Sequence, residues 1–224
     1  MPKRKVRLDM PTKSLNRVSG KKSKEAVVHS ALKLFTMSGY DGVSVRAIAS
    51  DAGVNIALVS YYFGGKQGLL EYLMATFFEG YLSALEKAEQ ETSGQISSVE
   101  RLTVVAEQLI RYQQHCFYLS RFVHREMTLD NQLVRELMSS YLMKEKFLFA
   151  RIFKKVLSGK QMNQMQIEFA IIHYRDLIIT PFLQPQYLRE VFFIQPSEQS
   201  FCTQYMRFIR DWASRLICCT DGSF

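Results

Sequence analysis

The sequence predicts an all-α protein, and three observations carry that expectation. Apolar residues recur at spacings of three and four along most of the chain, no stretch alternates apolar and polar residues for long, and polar, glycine or proline breaks separate the periodic runs. The 224 residues allow one small N-terminal unit followed by a helical domain of ordinary size.

The first predicted helix covers 23–38, with Val27, Ala31, Leu34 and Phe35 on one stripe, and it ends at Gly39. The Gly39-Tyr40-Asp41-Gly42 turn delivers the chain to Ser44, which suits a helix N-cap. From Ser44 to Phe63 the sequence reads as a helix-turn-helix. Val45, Ile48, Ala49 and Ala52 face inward, Gly53 supplies a left-handed turn, and Asn55 caps a second helix held to the core by Val59 and Phe63. Asn55, Ile56, Ala57, Leu58, Ser60, Tyr61 and Tyr62 then lie at or near an outer face built from methyls, hydroxyls and one amide. Such a face suits the major groove, where methyls read thymine and polar groups read base edges or phosphates.

Gly64-Gly65-Lys66 opens the next helix, with Leu69, Leu70 and Leu73 on its apolar side. Helices are expected over about 68–91, from 98 to about 114, and over 117–127, 131–157, 164–180 and 198–219, with a loop at 92–98. Pro181 and Pro185 are read as ending the 164–180 helix. Two late stripes are strongly apolar: Ile167, Ala170, Ile171, Tyr174, Leu177 and Ile178, and then Phe201, Tyr205, Phe208, Trp212 and Leu216.

The net charge of +8 is unevenly placed. Residues 1–22 hold Lys3, Arg4, Lys5, Arg7, Lys13, Arg17, Lys21 and Lys22 against Asp9 alone. With Pro2, Pro11 and few apolar residues, this tail is expected to be disordered in isolation. Three readings stay open for it: an arm that adds phosphate or minor-groove contacts, a solubilising extension, or an upstream start with Met10 as the working one. No secretory signal and no apolar run of membrane-spanning length is present, so a cytoplasmic location is expected. Cys116, Cys202, Cys218 and Cys219 lack zinc-site spacing and read as reduced thiols.

Enzymatic readings fail on the constellations they need. His29, His115, His124 and His173 are scattered, no nucleophile elbow occurs, and His124 near Glu126 and Asp130 reads as a surface histidine. No metal or cofactor is expected.

Ala31, Phe35, Gly39, Tyr40, Ser44, Val45, Ile48, Ala49, Ala52, Gly53, Val54, Tyr62, Phe63, Lys66 and Leu70 together resemble the TetR family of bacterial transcriptional regulators. The resemblance implies a three-helix DNA-binding domain at 23–66, a helical regulatory and dimerisation domain at 67–219, and short tails at 1–22 and 220–224. It departs from the family at Asn55-Ile56-Ala57-Leu58, where a serine, a lysine and a glycine are common, which leaves a more apolar reading face. Carried over, Ser44 and Arg46 are expected on phosphates, Tyr61 and Tyr62 fix register, and Asn55, Ala57 and Leu58 meet base edges of a palindromic operator. Val45, Ile56, Ser60 and Lys66 complete that surface. Pairing through the last two helices as a four-helix bundle would place Ile167, Ile171, Tyr174, Ile178, Phe201, Tyr205, Phe208 and Trp212 in a homodimer interface, although both stripes also suit packing within one chain.

Further motifs resemble a branch of that family, the forespore-capture DNA-binding proteins of endospore-forming bacteria. They are Ser60-Tyr61-Tyr62-Phe63, 121–126 (RFVHRE), 141–146 (YLMKEK) and 181–187 (PFLQPQY), within a similarity spanning about 23–215. That resemblance implies sites near the replication origin, a role in polar division during sporulation, and restraint of the division protein FtsZ. Arg121 and Arg125, four residues apart, form with Arg135 a candidate partner surface, unless carboxylates such as Glu79 or Glu107 neutralise them. Met127, Met138, Met143, Phe117, Phe122, Phe147 and Phe149 either line an effector pocket or form plain core. A ligand-released repressor and a helical adaptor without a DNA role are the alternatives.

Overall fold

The computed structural model describes residues 12–129 and 132–219, all of whose regular elements are helices: α1 Thr12–Ser38, α2 Val45–Asp51, α3 Ile56–Phe63, α4 Lys66–Glu91, α5 Ser98–His115, α6 Phe117–Thr128, α7 Gln132–Val156, α8 Gln164–Leu183, α9 Pro185–Phe192 and α10 Gln199–Cys219. The chain divides into two compact units, one through Tyr72 and one from Leu73 onward, with the division inside α4. Among the described residues no helix is long and apolar enough to cross a membrane.

In the first unit α1, α2 and α3 pack on one another around Val27, Ala31, Phe35, Ile48, Ala49, Val59 and Phe63, all buried. α1 starts eleven residues earlier than the pattern at 23–38 predicts. Residues 12–22 of the basic tail are therefore helical, since nothing between Pro11 and Ser23 other than Gly20 opposes helix. Residues 1–11 and 220–224 lie outside the described residues.

The second unit is assembled around α5, which packs against α6, α7, α8 and α10. Gly80 on α4 leaves room for Tyr112 of α5: a Cβ there would lie 2.4 Å from the Tyr112 hydroxyl, which donates to the Phe77 carbonyl at 2.8 Å. The α4–α5 loop is pinned by the buried Arg101, whose guanidinium donates to the carbonyls of Thr92 and Gly94.

Pro181 does not end α8, which continues to Leu183. The Leu177 carbonyl that would have bonded the missing Pro181 N–H instead accepts from the Tyr205 hydroxyl at 2.8 Å. The neighbouring Ile178 carbonyl accepts from the Gln113 amide at 3.1 Å. Tertiary donors thus satisfy the backbone where proline cannot. Pro185 opens the short helix α9, which the apolar pattern did not signal, and its first-turn position is where a missing N–H costs nothing.

Candidate functional site

The reading head is built from two caps and one left-handed glycine. The Ser44 hydroxyl accepts from the Ala47 N–H at 3.1 Å and starts α2, and the Asn55 amide oxygen accepts from the Ala57 N–H at 2.9 Å and starts α3. Between them Gly53 has φ 65°, a conformation a side chain would strain, and the Val54 N–H returns to the Ala49 carbonyl at 3.0 Å. Gly64, at φ 72°, ends α3 by donating to the Ser60 carbonyl.

These locks decide which side chains face out. Asn55, Ile56, Ala57, Ser60 and Tyr61 are exposed, Tyr61 at 79 %, while Leu58 and Tyr62 are half-buried and Val59 and Phe63 are buried. Ser44, Arg46 and Ala47 are exposed at the start of α2, with Val45 half-buried. The exposed face of α3 carries no charge. Tyr61 stands edge-on to Tyr62, ring centroids 5.2 Å apart, so two hydroxyl-bearing rings flank one another at the helix surface.

Lys66 is engaged within the unit. Its ammonium lies 4.3 Å from the Tyr40 ring centroid and donates to the Asp41 carbonyl at 3.5 Å, so it braces the turn before α2. Two further braces escaped sequence reasoning because their partners are far apart in the chain. Lys33 pairs with Asp51 at 2.7 Å, and together with Ser30 it holds that carboxyl below the ordinary carboxylate range. Lys24 lies 4.7 Å from the Tyr72 ring centroid and 5.4 Å from that of Phe63.

In the second unit the residues assigned to dimerisation separate into two groups. Tyr174 and Ile178 are fully buried in their own protomer, and Ile171 and Phe201 nearly so, which makes these four part of the protomer's own core. Tyr174 donates to the Leu102 carbonyl at 2.5 Å and stacks on the half-buried Trp212, and it meets Phe149 and Phe153 edge-on. The reason is the width of the stripe: α8 turns one side to α5, α6 and α7, and the bulkiest residues go there. Ile167 and Tyr205 are half-buried, and Phe208 is 53 % exposed. The exposed apolar residues of α8 are Met165, Phe169 and Ile172, spaced four and three apart on one face. On α10, Phe201, Tyr205 and Phe208 stack in sequence at 4.9 and 5.8 Å, ending at the exposed ring.

His124 is buried, not a surface residue. Its Nε2 lies 2.7 Å from the Gln113 side-chain oxygen, and its ring meets Phe77 edge-on at 5.3 Å. Burial, reinforced by the charge of Arg175, pushes its pKa down to about 3. Gln113 also accepts from Ser120 at 3.2 Å, so one amide satisfies α5, α6 and α8 together.

Arg125 reaches the buried Glu126 at 3.1 Å, whereas Glu107 is taken by Arg111 at 2.7 Å. Arg121 therefore does not find the carboxylate expected of Glu107. Partial burial, with Arg189 of α9 and Arg125 nearby, disfavours its charged form. Arg135 is exposed on α7. Of the residues considered for an effector pocket, Met127 and Phe149 line a cleft of about 390 Å³ between α7 and α8, Phe122 and Met138 are core, Phe117 is half-buried, and Met143 and Phe147 are exposed.

The family model for bacterial regulatory proteins of the TetR family matches residues 27–73. The chain is 41 % identical over 190 residues to the Probable HTH-type transcriptional regulator YttP of Bacillus subtilis (strain 168), covering 85 % of this chain and 91 % of that protein. Among solved structures, a TetR-family bacterial regulatory protein from Rhodococcus RHA1 superposes with a TM-score of 0.67 at 16 % identity, covering 85 % of this chain and 96 % of that one. The transcriptional regulator FadR from Bacillus subtilis, solved in complex with stearoyl-CoA, gives a TM-score of 0.62 at 16 % identity, covering 83 % and 97 %. A three-helix reading head followed by a helical second unit, with these likenesses, defines a class: the chain belongs to the TetR family. It is a DNA-binding transcriptional regulator of that type.

Proposed function

We propose that the protein binds a palindromic DNA site as a homodimer and lays α3 of each subunit in the major groove of one half-site. The observation that carries this reading is the uncharged, exposed face of α3, where Ile56, Ala57 and Tyr61 project beside the capping Asn55. Methyl groups there suit thymine, and Ser44, Arg46, Ser60, Tyr61 and Tyr62 suit phosphates that set register. Lys66 acts through the turn it braces. The dimer forms through the exposed residues of the last long helices, Met165, Phe169 and Ile172 on α8 and Phe208 on α10, in place of the buried Tyr174 and Ile178.

The finer role follows the motif resemblance to the forespore capture protein RefZ. On that reading the protein acts on the nucleoid in the cytoplasm, holds sites near the replication origin during polar division, and restrains FtsZ. Arg121, Arg125 and Arg135 form the face that meets an acidic partner, with Arg189 of α9 near Arg121. A genome-wide map of bound sites tests it. A handful of palindromes around the origin supports capture, and a single divergent promoter beside the protein's own gene overturns it.

The cleft between α7 and α8 favours a second reading, a repressor released from DNA by a small molecule. FadR, which shares the fold, was solved with a bound acyl-CoA, and that supports the fold's capacity for ligand binding.

A further inference from the structure

We propose that the α7–α8 groove binds a single-chain amphiphile, its carboxylate head on Arg175 and its aliphatic tail along the groove. The proposal rests on the ligand-released reading and names the ligand class for it. The groove has two compartments. One, of about 390 Å³, is walled by Met127, Leu142 and Phe149, and the other, of about 490 Å³, by Phe153, Leu157 and Ile167. Ile171, Lys146 and Glu168 belong to both, so the two adjoin. The Lys146–Glu168 ion pair, 3.6 Å long between well-exposed side chains, lies where the two compartments meet, and such a pair is weak enough to part. Along α8, Gln164 and Arg175 are eleven residues and so about 16 Å apart, which makes the groove long and narrow. An extended chain fits that shape better than a compact ring.

One guanidinium is placed to read the head. Arg175 is largely buried at one end of the groove, and its Nε donates to Oε2 of the buried Glu145 at 2.9 Å. That bond fixes the plane of the fork. Nη1 and Nη2 make no hydrogen bond among the described residues, and with 26 % of the side chain exposed they are reachable from the groove. Two oxygens of a carboxylate match the free edge of the fork. Because Glu145 already balances the charge, directed hydrogen bonds hold the head, and binding varies little with salt.

Calorimetric titration of the full chain with sodium laurate, methyl laurate and sodium acetate tests the site. Laurate binds, the ester binds at least tenfold more weakly, and acetate, lacking a tail, does not register. Arg175→Met weakens laurate at least tenfold. Since that change leaves Glu145 unpaired and can disturb folding, Leu142→Trp is the second variant: Leu142 is half-buried on the α7 wall of the groove, away from the exposed α8 face given to the dimer, so the bulk blocks the groove. Equal affinity for acid and ester, or undiminished laurate binding by Leu142→Trp, overturns the proposal, as does the absence of laurate binding by protein that still binds DNA. Adding laurate to the protein–DNA complex separates the two claims. Release supports the ligand-released reading, and laurate binding without release overturns that reading while the site stands.

Discussion

Single residues divide into those that present a surface and those that hold a protonation state. Tyr61 and Arg46 are of the first kind, exposed and without structural duties in the core. Replacing both by alanine should lower affinity for a specific palindrome by at least tenfold and leave the urea midpoint unchanged, measured by fluorescence anisotropy and circular dichroism. His124 is of the second kind. Held at a pKa of about 3, it stays neutral while the unfolded chain takes up a proton below about 6.5. Stability is therefore full above that value and falls as pH drops toward 3, by at most about 1.4 kcal/mol per pH unit. Denaturation curves at pH 7, 5 and 4 should show that loss, and His124→Asn should flatten it. The burial of His124 was illegible in sequence, because it depends on Gln113, eleven positions away on another helix. The caps at Ser44 and Asn55 and the turn at Gly53 were legible because their partners lie within three residues.

At the scale of elements, α8 shows where local rules give way. A proline at 181 normally stops a helix, yet the Tyr205 hydroxyl occupies the carbonyl that Pro181 cannot serve. Tyr205→Phe should cost about 1 to 2 kcal/mol in the natural background. With Pro181→Ala the missing N–H returns, so the same change should cost about 1 kcal/mol less, a coupling measurable by a double-mutant cycle. Additive effects would show that Tyr205 does not substitute for the absent donor. The periodicity of α8 was readable from sequence, but not which side of its wide stripe is buried. That choice depends on α5, α6 and α7, so Tyr174 and Ile178 went to the core and Met165, Phe169 and Ile172 to the surface. α9 was missed because eight residues are too few for a periodic signal to stand out.

For the whole molecule, affinity for a palindrome requires two reading heads, since one half-site contributes only part of the contacts. Phe208→Glu places a charge on the exposed ring at the end of the α10 stack. The variant should sediment as a monomer and lose the palindrome while each chain stays folded. A dimer unchanged by that substitution would move the interface elsewhere. The central claim, that α3 reads a two-fold DNA sequence, is tested most directly by selecting binding sites from a random duplex library with the purified full chain. One enriched palindrome with half-site centres one or more helical turns apart is expected, lost when Tyr61 and Arg46 are replaced by alanine. Enrichment of no sequence, or of the same palindrome by that variant, would contradict it.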